Sequence, residues 1–187
     1  MNVRAFLLLT AMPLMAMMNR CEREPAPEFV LPAASQSGAN TLGFVADGRV
    51  WLNYGWLPYT SGESDNLRVD YHPSTGKKTF TISAGQIARD VQESFYLTID
   101  SLTSVGTYQA STRRSGARAV RGFVFNNDNT GAVYSYLPVG STAVTTITTL
   151  DTVQHIIAGT FSGTLTSISD TTKRVNITDG RFDVKYR

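Results

Sequence analysis

The stretch Phe44-Val45-Ala46-Asp47-Gly48-Arg49-Val50-Trp51-Leu52 decides the fold class of this chain. Apolar side chains flank an Asp-Gly pair on both sides, and Asp-Gly readily adopts the two positive φ angles of a type I′ turn. Such a pair between two apolar runs is a strong local signal for a β-hairpin. The stretch therefore predicts two antiparallel strands joined at Asp47 and Gly48.

Alternation of apolar and polar residues continues through the rest of the chain, which is the pattern of strands that bury one face. The alternating segments are 67–71, 80–82, 95–99, 120–125, 132–137, 144–150, 153–167 and 175–186. A second Asp-Gly turn is predicted at Asp179-Gly180, which would make the C-terminus a hairpin. Gly159 and Gly163 predict bulges or close backbone approaches. Residues 86–93 are compatible with a short helix or an irregular connection.

The prediction that follows is an all-β domain over residues 41–187, built as a single antiparallel sandwich or barrel of about ten strands. No segment of helical periodicity and useful length competes with the strands. The chain has 187 residues, of which 42% are hydrophobic, enough for one domain with a real core. The pattern does not decide between sandwich and barrel, nor the strand order.

The charge of the chain argues against nucleic-acid binding. It carries 17 basic and 15 acidic side chains. Two of the basic residues, Arg4 and Arg20, lie in the first 20 residues, which contain no acid, so the remaining chain is close to neutral. A neutral domain lacks the basic field that nucleic-acid binding requires.

Residues 1–20, MNVRAFLLLTAMPLMAMMNR, predict a signal peptide. One positive charge precedes an apolar run of about 14 residues, the length of a signal-peptide core and shorter than the roughly 20 residues of a membrane-spanning helix. A buried N-terminal helix is the alternative. The leader predicts export to the periplasm or the outer membrane surface.

Cys21 is the only cysteine and follows the leader directly. Because a single cysteine forms no internal disulfide, its position predicts the acylated residue of a bacterial lipoprotein, which would bring a membrane as partner. Arg20 departs from the small residue usual before such a cysteine. A secreted protein with an incidental thiol is the alternative. The Pro- and Ser-containing residues after Cys21, up to position 40, predict a polar tether.

The segment LPAASQSGANTLGFVADGRVW, residues 31–51, resembles the start of a group of uncharacterised Bacteroidota lipoproteins. Residues 158–163, AGTFSG, and 177–184, ITDGRFDV, are similar to a strand and a terminal hairpin of that group. The resemblance covers most of residues 29–187. It implies an anchored, all-β protein of the cell envelope and implies no enzymatic activity.

Four aromatic residues are the leading candidate for a ligand-binding surface: Trp51, Tyr54, Trp56 and Tyr59. Exposed aromatic rings stack on the apolar faces of sugars, so this cluster would suit a glycan-binding module. The alternative places Trp51 in the core and uses the other rings to cover a loop. The other partner that this hypothesis leaves open is another protein of the cell envelope.

Two further segments invite a binding interpretation. The loop Asn126-x-Asp128-x-Thr130-Gly131 resembles the first half of a calcium loop, although Leu137 stands where a bidentate Glu is expected. A plain hairpin loop is the simpler interpretation. A basic cluster, Arg113, Arg114, Arg118 and Arg121, is compatible with an acidic ligand or with a solvated edge.

The sequence contains no catalytic or metal-binding motif, and we expect neither a cofactor nor an enzymatic activity. The only histidines, His72 and His155, are far apart, and Glu63 with Asp65 would serve acid–base chemistry only at a cleft. The expected function is a non-enzymatic binding or structural β-domain. A glycan-binding module and a hydrolase of envelope polysaccharide are the alternatives.

Overall fold

The structure is a computed structural model that describes residues 26–55, 66–73, 78–111 and 121–186. Over these ranges it contains eleven β-strands and no helix, which confirms the all-β prediction. The strands are β1 (Thr41–Ala46), β2 (Arg49–Leu52), β3 (Leu67–Tyr71), β4 (Phe80–Ile87), β5 (Gln92–Ile99), β6 (Gly106–Gln109), β7 (Arg121–Asn127), β8 (Ala132–Ser135), β9 (Thr142–Asp151), β10 (Ile156–Ser167) and β11 (Arg174–Lys185). In the same ranges there is no helix long and apolar enough to cross a bilayer.

The strands form one antiparallel sheet that curls into a half-barrel, rather than two stacked sheets. Its order is β2-β1-β11-β10-β8-β7-β5-β4-β3. Strand β10 forks the sheet, because its first part pairs with β9 and its last residues pair with β8. Strand β9 in turn carries β6 on its other side.

The curled sheet meets itself at Tyr54, just after β2. The Tyr54 amide donates to the Gly85 carbonyl at 3.0 Å, and the Ile87 amide donates to the Tyr54 carbonyl at 2.8 Å. These two bonds join the region after β2 to the end of β4, across what would otherwise be an open gap between β2 and β4. We call this junction the seam.

The first Asp-Gly pair forms the predicted hairpin. Asp47 and Gly48 have φ angles of 46° and 85°, and Ala46 pairs directly with Arg49. Two consecutive positive φ angles are the signature of the type I′ turn that the residues favour. This turn therefore lies at one end of the half-barrel.

The second Asp-Gly pair does not form a turn, so the predicted C-terminal hairpin is wrong. Residues 174–185 are one continuous strand, β11, paired with β1 on one side and β10 on the other. Both ladders shift register at this point because β11 carries one extra residue, which makes Asp179-Gly180 a β-bulge. A side chain at Gly180 would collide with Phe161 of β10, so glycine permits the close approach.

Residues 86–93 form neither a helix nor an irregular connection. Strand β4 continues to Ile87 and β5 begins at Gln92, with a tight turn between them. The Ala88 amide donates to the Val91 carbonyl at 2.8 Å and closes this turn. In β10, by contrast, the predicted close backbone approaches are confirmed, since a side chain at Gly159 or Gly163 would collide with a backbone carbonyl of β9.

The core lies inside the curl and is built from aromatic rings. Phe44 stacks on Trp51 with ring centroids 4.7 Å apart, and Phe95 stacks on Phe161 at 5.0 Å. Phe125 meets Phe44 edge-on at 5.8 Å. These residues come from β1, β2, β5, β7 and β10, so one ring cluster ties together strands that are distant in sequence.

Residues 26–40, which we call the strap, lie along the outside of the half-barrel instead of extending away as a polar tether. Asp183 of β11 is buried beneath the strap and accepts hydrogen bonds from Ser35, Ser37, Gly38 and Ala39. Donors from four residues converge on one carboxylate and fix this part of the chain to the domain. The folded unit thus includes residues before position 41.

Candidate binding site at the mouth of the half-barrel

Four polar side chains face inward at the end of the half-barrel that carries the Asp47-Gly48 turn. We call this end the mouth and the four residues the polar layer: Arg49 of β2, Gln86 of β4, Glu93 of β5 and Asn127 of β7. Gln86 pairs directly with Glu93, and Glu93 pairs directly with Asn127. Side chains at directly paired positions share a face, so the layer sits on top of the aromatic core.

Arg49 is the centre of the polar layer. Its Nη2 donates to both carboxylate oxygens of Glu93, at 2.8 and 2.6 Å, and its Nη1 donates to Oε1 of Gln86 at 3.1 Å. Asn127 Nδ2 donates to Oε1 of Glu93 at 3.1 Å. Because Arg49 belongs to β2 while its partners belong to β4 and β5, this side chain spans the seam that Tyr54 closes below it.

The burial of the ion pair is unequal. The Glu93 side chain is 6% exposed and the Arg49 side chain 47% exposed. A buried carboxylate requires a compensating charge and hydrogen bonds, and Arg49 with Asn127 supplies both. The half-exposed side chain leaves Arg49 available to a molecule arriving from solvent.

Two cavities open beside Arg49. The mouth cavity, of about 350 Å³, lies between the β1–β2 turn and the β7–β8 hairpin, and its lining includes Asp47, Arg49, Glu93, Thr130 and Tyr134. The seam cleft, of about 410 Å³, lies outside the seam beneath the strap. Its lining includes Glu28, Phe29, Arg49, Gln86 and Asp90. Concave sites with a few convergent polar groups are the usual form of small-ligand sites.

Gln86 is fully buried, and its Nε2 has no hydrogen-bond partner among the residues that the structure describes. Its Oε1 is taken by Arg49, which fixes the orientation of the amide. A buried amide donor without an acceptor costs about 1–3 kcal/mol. A polar group kept at such a cost beside a cleft is a reason to consider a ligand there.

The carboxylates of the mouth cavity are held by hydrogen bonds within the fold. Both oxygens of Glu93 accept from Arg49, and Asp47 Oδ1 accepts from the Asn176 amide at 2.8 Å. The two carboxylates that line the mouth cavity are therefore already engaged. The described residues contain no group of three or more His, Cys, Asp or Glu side chains that could hold a metal ion.

Two of the four aromatic candidates, Trp51 and Tyr54, lie in the described part of the chain, and they occupy different environments. Trp51 is fully buried in the core, where it stacks on Phe44 because strand alternation turns it inward. Tyr54 is half-buried at the seam, with its ring edge-on to Phe29 at 5.3 Å. Trp56 and Tyr59 lie outside the described residues. Trp51 is thus removed from the predicted platform. Of the two described candidates, Tyr54 lies beside the seam cleft, against Phe29 of its lining.

The segment resembling a calcium loop is the β7–β8 hairpin. Asn127 Oδ1 accepts from the Thr130 amide and hydroxyl, both at 3.0 Å, and Asn126 Nδ2 donates to the Ser94 hydroxyl at 3.2 Å. These side chains serve the turn and the neighbouring strand. The simpler interpretation, a hairpin loop, describes this geometry.

The remaining candidates are scattered or lie outside the described ranges. Arg121 begins β7, and its guanidinium carbon lies 5.1 Å from the centroid of the Tyr108 ring. The ring of His155 stacks on Tyr186 at 4.9 Å, at the end of the half-barrel opposite the mouth. Outside the described residues lie the leader, Cys21, Glu63, Asp65, Arg113, Arg114 and Arg118.

The comparisons with known proteins found no match for this chain, whether among protein-family profiles, curated proteins or solved structures.

None of the four polar-layer residues was singled out by sequence reasoning, although the pattern carries a signal for two of them. Glu93 is in phase with Phe95 and Leu97, and Gln86 is in phase with Ala84 and Ile82. A polar residue on the apolar phase of a strand faces inward and needs a partner. That partner, Arg49, comes from a different part of the chain and is not visible in the local pattern.

Proposed function

We propose that this chain is an exported, lipid-anchored and non-enzymatic binding domain of the cell envelope, and that it binds through the mouth of its half-barrel. The anchoring part rests on the leader and Cys21. The binding part rests on one observation, the inward-facing Arg49–Glu93 pair beside two cavities. Apolar side chains in these positions would serve stability as well or better, so a retained ion pair supports a role in recognition.

Hydrolysis of an envelope polymer is the less favoured reading. Glycoside hydrolysis needs one carboxylic acid that gives a proton and a second carboxylate that acts as base or nucleophile. Glu93 is clamped by Arg49, and Asp47 caps a backbone amide of β11. Neither carboxylate of the mouth cavity is presented for that chemistry, whereas a half-exposed guanidinium is well placed to bind.

The anchoring half of the proposal is tested with the full-length chain expressed in a Gram-negative bacterium. We expect an alkyne-tagged palmitate analogue to label the chain and a Cys21→Ser variant to lose the label and leave the membrane fraction. Equal labelling of both chains would refute anchoring through Cys21.

The binding half is tested by co-sedimentation of the detergent-purified full chain with isolated envelope polymers from the same bacterium. Arg49→Met removes the central cation, and Arg49→Lys keeps a charge but cannot span Gln86 and Glu93 together. We expect both variants to bind the polymers at least about tenfold more weakly, because one or two charge-assisted hydrogen bonds are lost.

The matched control is Arg68→Met, because Arg68 pairs with Asp70 on the exposed face of β3. Binding by this variant should equal that of the wild type. Undiminished binding by Arg49→Lys in a chain with native circular dichroism, or no binding by the wild type, would overturn the binding proposal.

A further inference from the structure

The seam cleft offers hydrogen-bond donors on its inner wall. Gln86 Nε2 is buried without an acceptor among the described residues, and the Arg49 guanidinium lies beside it with N–H groups beyond those used by Gln86 and Glu93. Both residues line the cleft, and of the two side chains that of Arg49 is the exposed one. A ligand that reaches this wall must therefore carry acceptor oxygens.

The opposite wall offers acceptors. Asp90 and the exposed Glu28 line the cleft, and Asp90 Oδ1 accepts from the Ala26 amide at 2.9 Å. This backbone hydrogen bond is the largest influence that holds the pKa of Asp90 below its ordinary value, so the carboxylate is ionised at neutral pH. A ligand between the walls must also carry donors.

The electrostatic balance of the cleft disfavours an anionic ligand. Its lining contains the two carboxylates and one guanidinium, and the charge of that guanidinium is already matched by Glu93. The carboxylate of an anionic ligand would have to approach a surplus of negative charge. A cation would satisfy the carboxylates but would leave the Gln86 donor without an acceptor.

An aromatic face completes the cleft. Phe29 of the strap is partly exposed, lines the cleft, and is held edge-on against Tyr54 with an angle of 62° between the rings. Aromatic faces pack well against the C–H faces of sugar rings. Since the strap itself is fixed through Asp183, the ring is positioned before a ligand arrives.

We propose that the seam cleft binds a neutral, hydroxyl-rich ligand, namely one or two sugar units of an envelope polysaccharide. A hydroxyl group both donates and accepts, so it is the chemical group that satisfies both walls at once. The volume of about 410 Å³ falls within the usual range of small-ligand sites. This inference rests on the proposed binding function and adds the ligand class and the residues that contact it.

The test is isothermal titration of the detergent-purified full chain with four neutral disaccharides: cellobiose, mannobiose, maltose and N,N′-diacetylchitobiose. Glucuronic acid and glucosamine serve as the acidic and basic comparators. We expect at least one neutral disaccharide to bind and both charged sugars to bind more weakly. Tighter binding of either charged sugar would overturn the ligand class.

Two variants locate the site. Gln86→Glu keeps the oxygen that Arg49 uses and replaces the unpartnered NH₂ donor by a carboxylate oxygen, which also adds a negative charge. Phe29→Leu removes the ring without touching the polar layer. Each should weaken binding of the neutral sugar by about tenfold. Phe29→Leu keeps the test decisive if Gln86→Glu impairs folding.

Arg68→Met is again the matched control, because Arg68 lines neither cavity. It should leave sugar affinity unchanged. If Thr130→Val weakens binding while Gln86→Glu and Phe29→Leu do not, the ligand lies in the mouth cavity, which Thr130 lines, and the seam assignment is wrong. If no neutral sugar binds while the chain still sediments with envelope polymers, the sugar inference fails and the proposed function stands.

Discussion

Replacing Asp183 by Asn should weaken the attachment of the strap to the half-barrel. The carboxylate accepts from the Ser35 hydroxyl at 2.6 Å and from the amides of Ser37, Gly38 and Ala39 at 2.9, 2.7 and 3.2 Å. An amide at this position keeps one acceptor oxygen and turns an NH₂ group toward the remaining donors. Hydrogen bonds to a charged group contribute about 1.5–3 kcal/mol each against about 1 kcal/mol for neutral ones, so the expected loss is about 2–4 kcal/mol.

The effect should depend on pH in a defined direction. Burial would raise the pKa of Asp183, but the hydrogen bonds from Ser35, Ser37, Gly38 and Ala39 together outweigh burial and hold the pKa below the ordinary value of 3.8. A lowered pKa in the folded state stabilises the fold above the unfolded pKa, and this stabilisation is lost as the pH falls through the folded pKa. The difference between wild type and variant should thus be full at pH 7 and shrink below about pH 4.

The assay is urea unfolding of the full chain followed by tryptophan fluorescence, to which the buried Trp51 contributes, at pH 7, 5 and 3. Asp179→Asn is the matched control, because it makes the same charge change on an exposed residue of the same strand and should shift stability by less than about 0.5 kcal/mol. A loss below about 1 kcal/mol for Asp183→Asn at pH 7, or a loss that persists unchanged at pH 3, would refute the role given to this carboxylate.

Three further predictions concern the seam, the polar layer and the core. Gly48 and Gly55 have nearly equal φ angles, 85° and 84°, but of these two only Gly55 packs against a β4 carbonyl. In urea unfolding, Gly48→Ala should lower the free energy of unfolding by about 1 kcal/mol, and Gly55→Ala should lower it by at least about 1 kcal/mol more. Equal losses would disprove the close approach. A double-mutant cycle of Arg49→Met and Glu93→Gln should give a coupling of about 1–3 kcal/mol, and additive losses would show that the pair contributes nothing. Tyr71→Phe removes a buried hydrogen bond of 2.8 Å to a loop carbonyl and should cost about 1–2 kcal/mol. Because burial is the main factor that raises the pKa of Tyr71 above 10.0, the wild type should lose stability as the pH rises above 10, and the variant should lose less over that interval in alkaline urea titrations.

The two Asp-Gly pairs show how far local sequence reaches. The same dipeptide forms a type I′ turn at Asp47-Gly48 and a bulge at Asp179-Gly180. One signal in the sequence distinguishes them. Before the second pair the buried residues occupy odd positions, such as Val175, and after it they occupy even positions, such as Phe182. A bulge adds one residue and changes this parity, but the alternative of a hairpin is also compatible with the pattern.

The candidate site was less accessible to sequence reasoning than the fold. The aromatic cluster suggested a surface, but alternation places Trp51 on the same inward phase as Arg49. The alternation of β5 predicts that Glu93 faces inward, but it does not identify the partner of Glu93. Arg49 and Glu93 are 44 positions apart, and only the curl of the sheet brings β2 across to β5.

Sequence alone determined that this chain is all-β, where its first hairpin turns, and which side chains of most strands face inward, because turn chemistry and period-two burial are local properties of the backbone. The tertiary structure decided which strands pair, that the sheet meets itself at Tyr54, that the strap docks on Asp183, and that the second Asp-Gly pair is a bulge. Each of these depends on contacts between residues far apart in the chain. Such contacts are selected by the burial and hydrogen bonding of the whole fold, and short-range preferences leave them open.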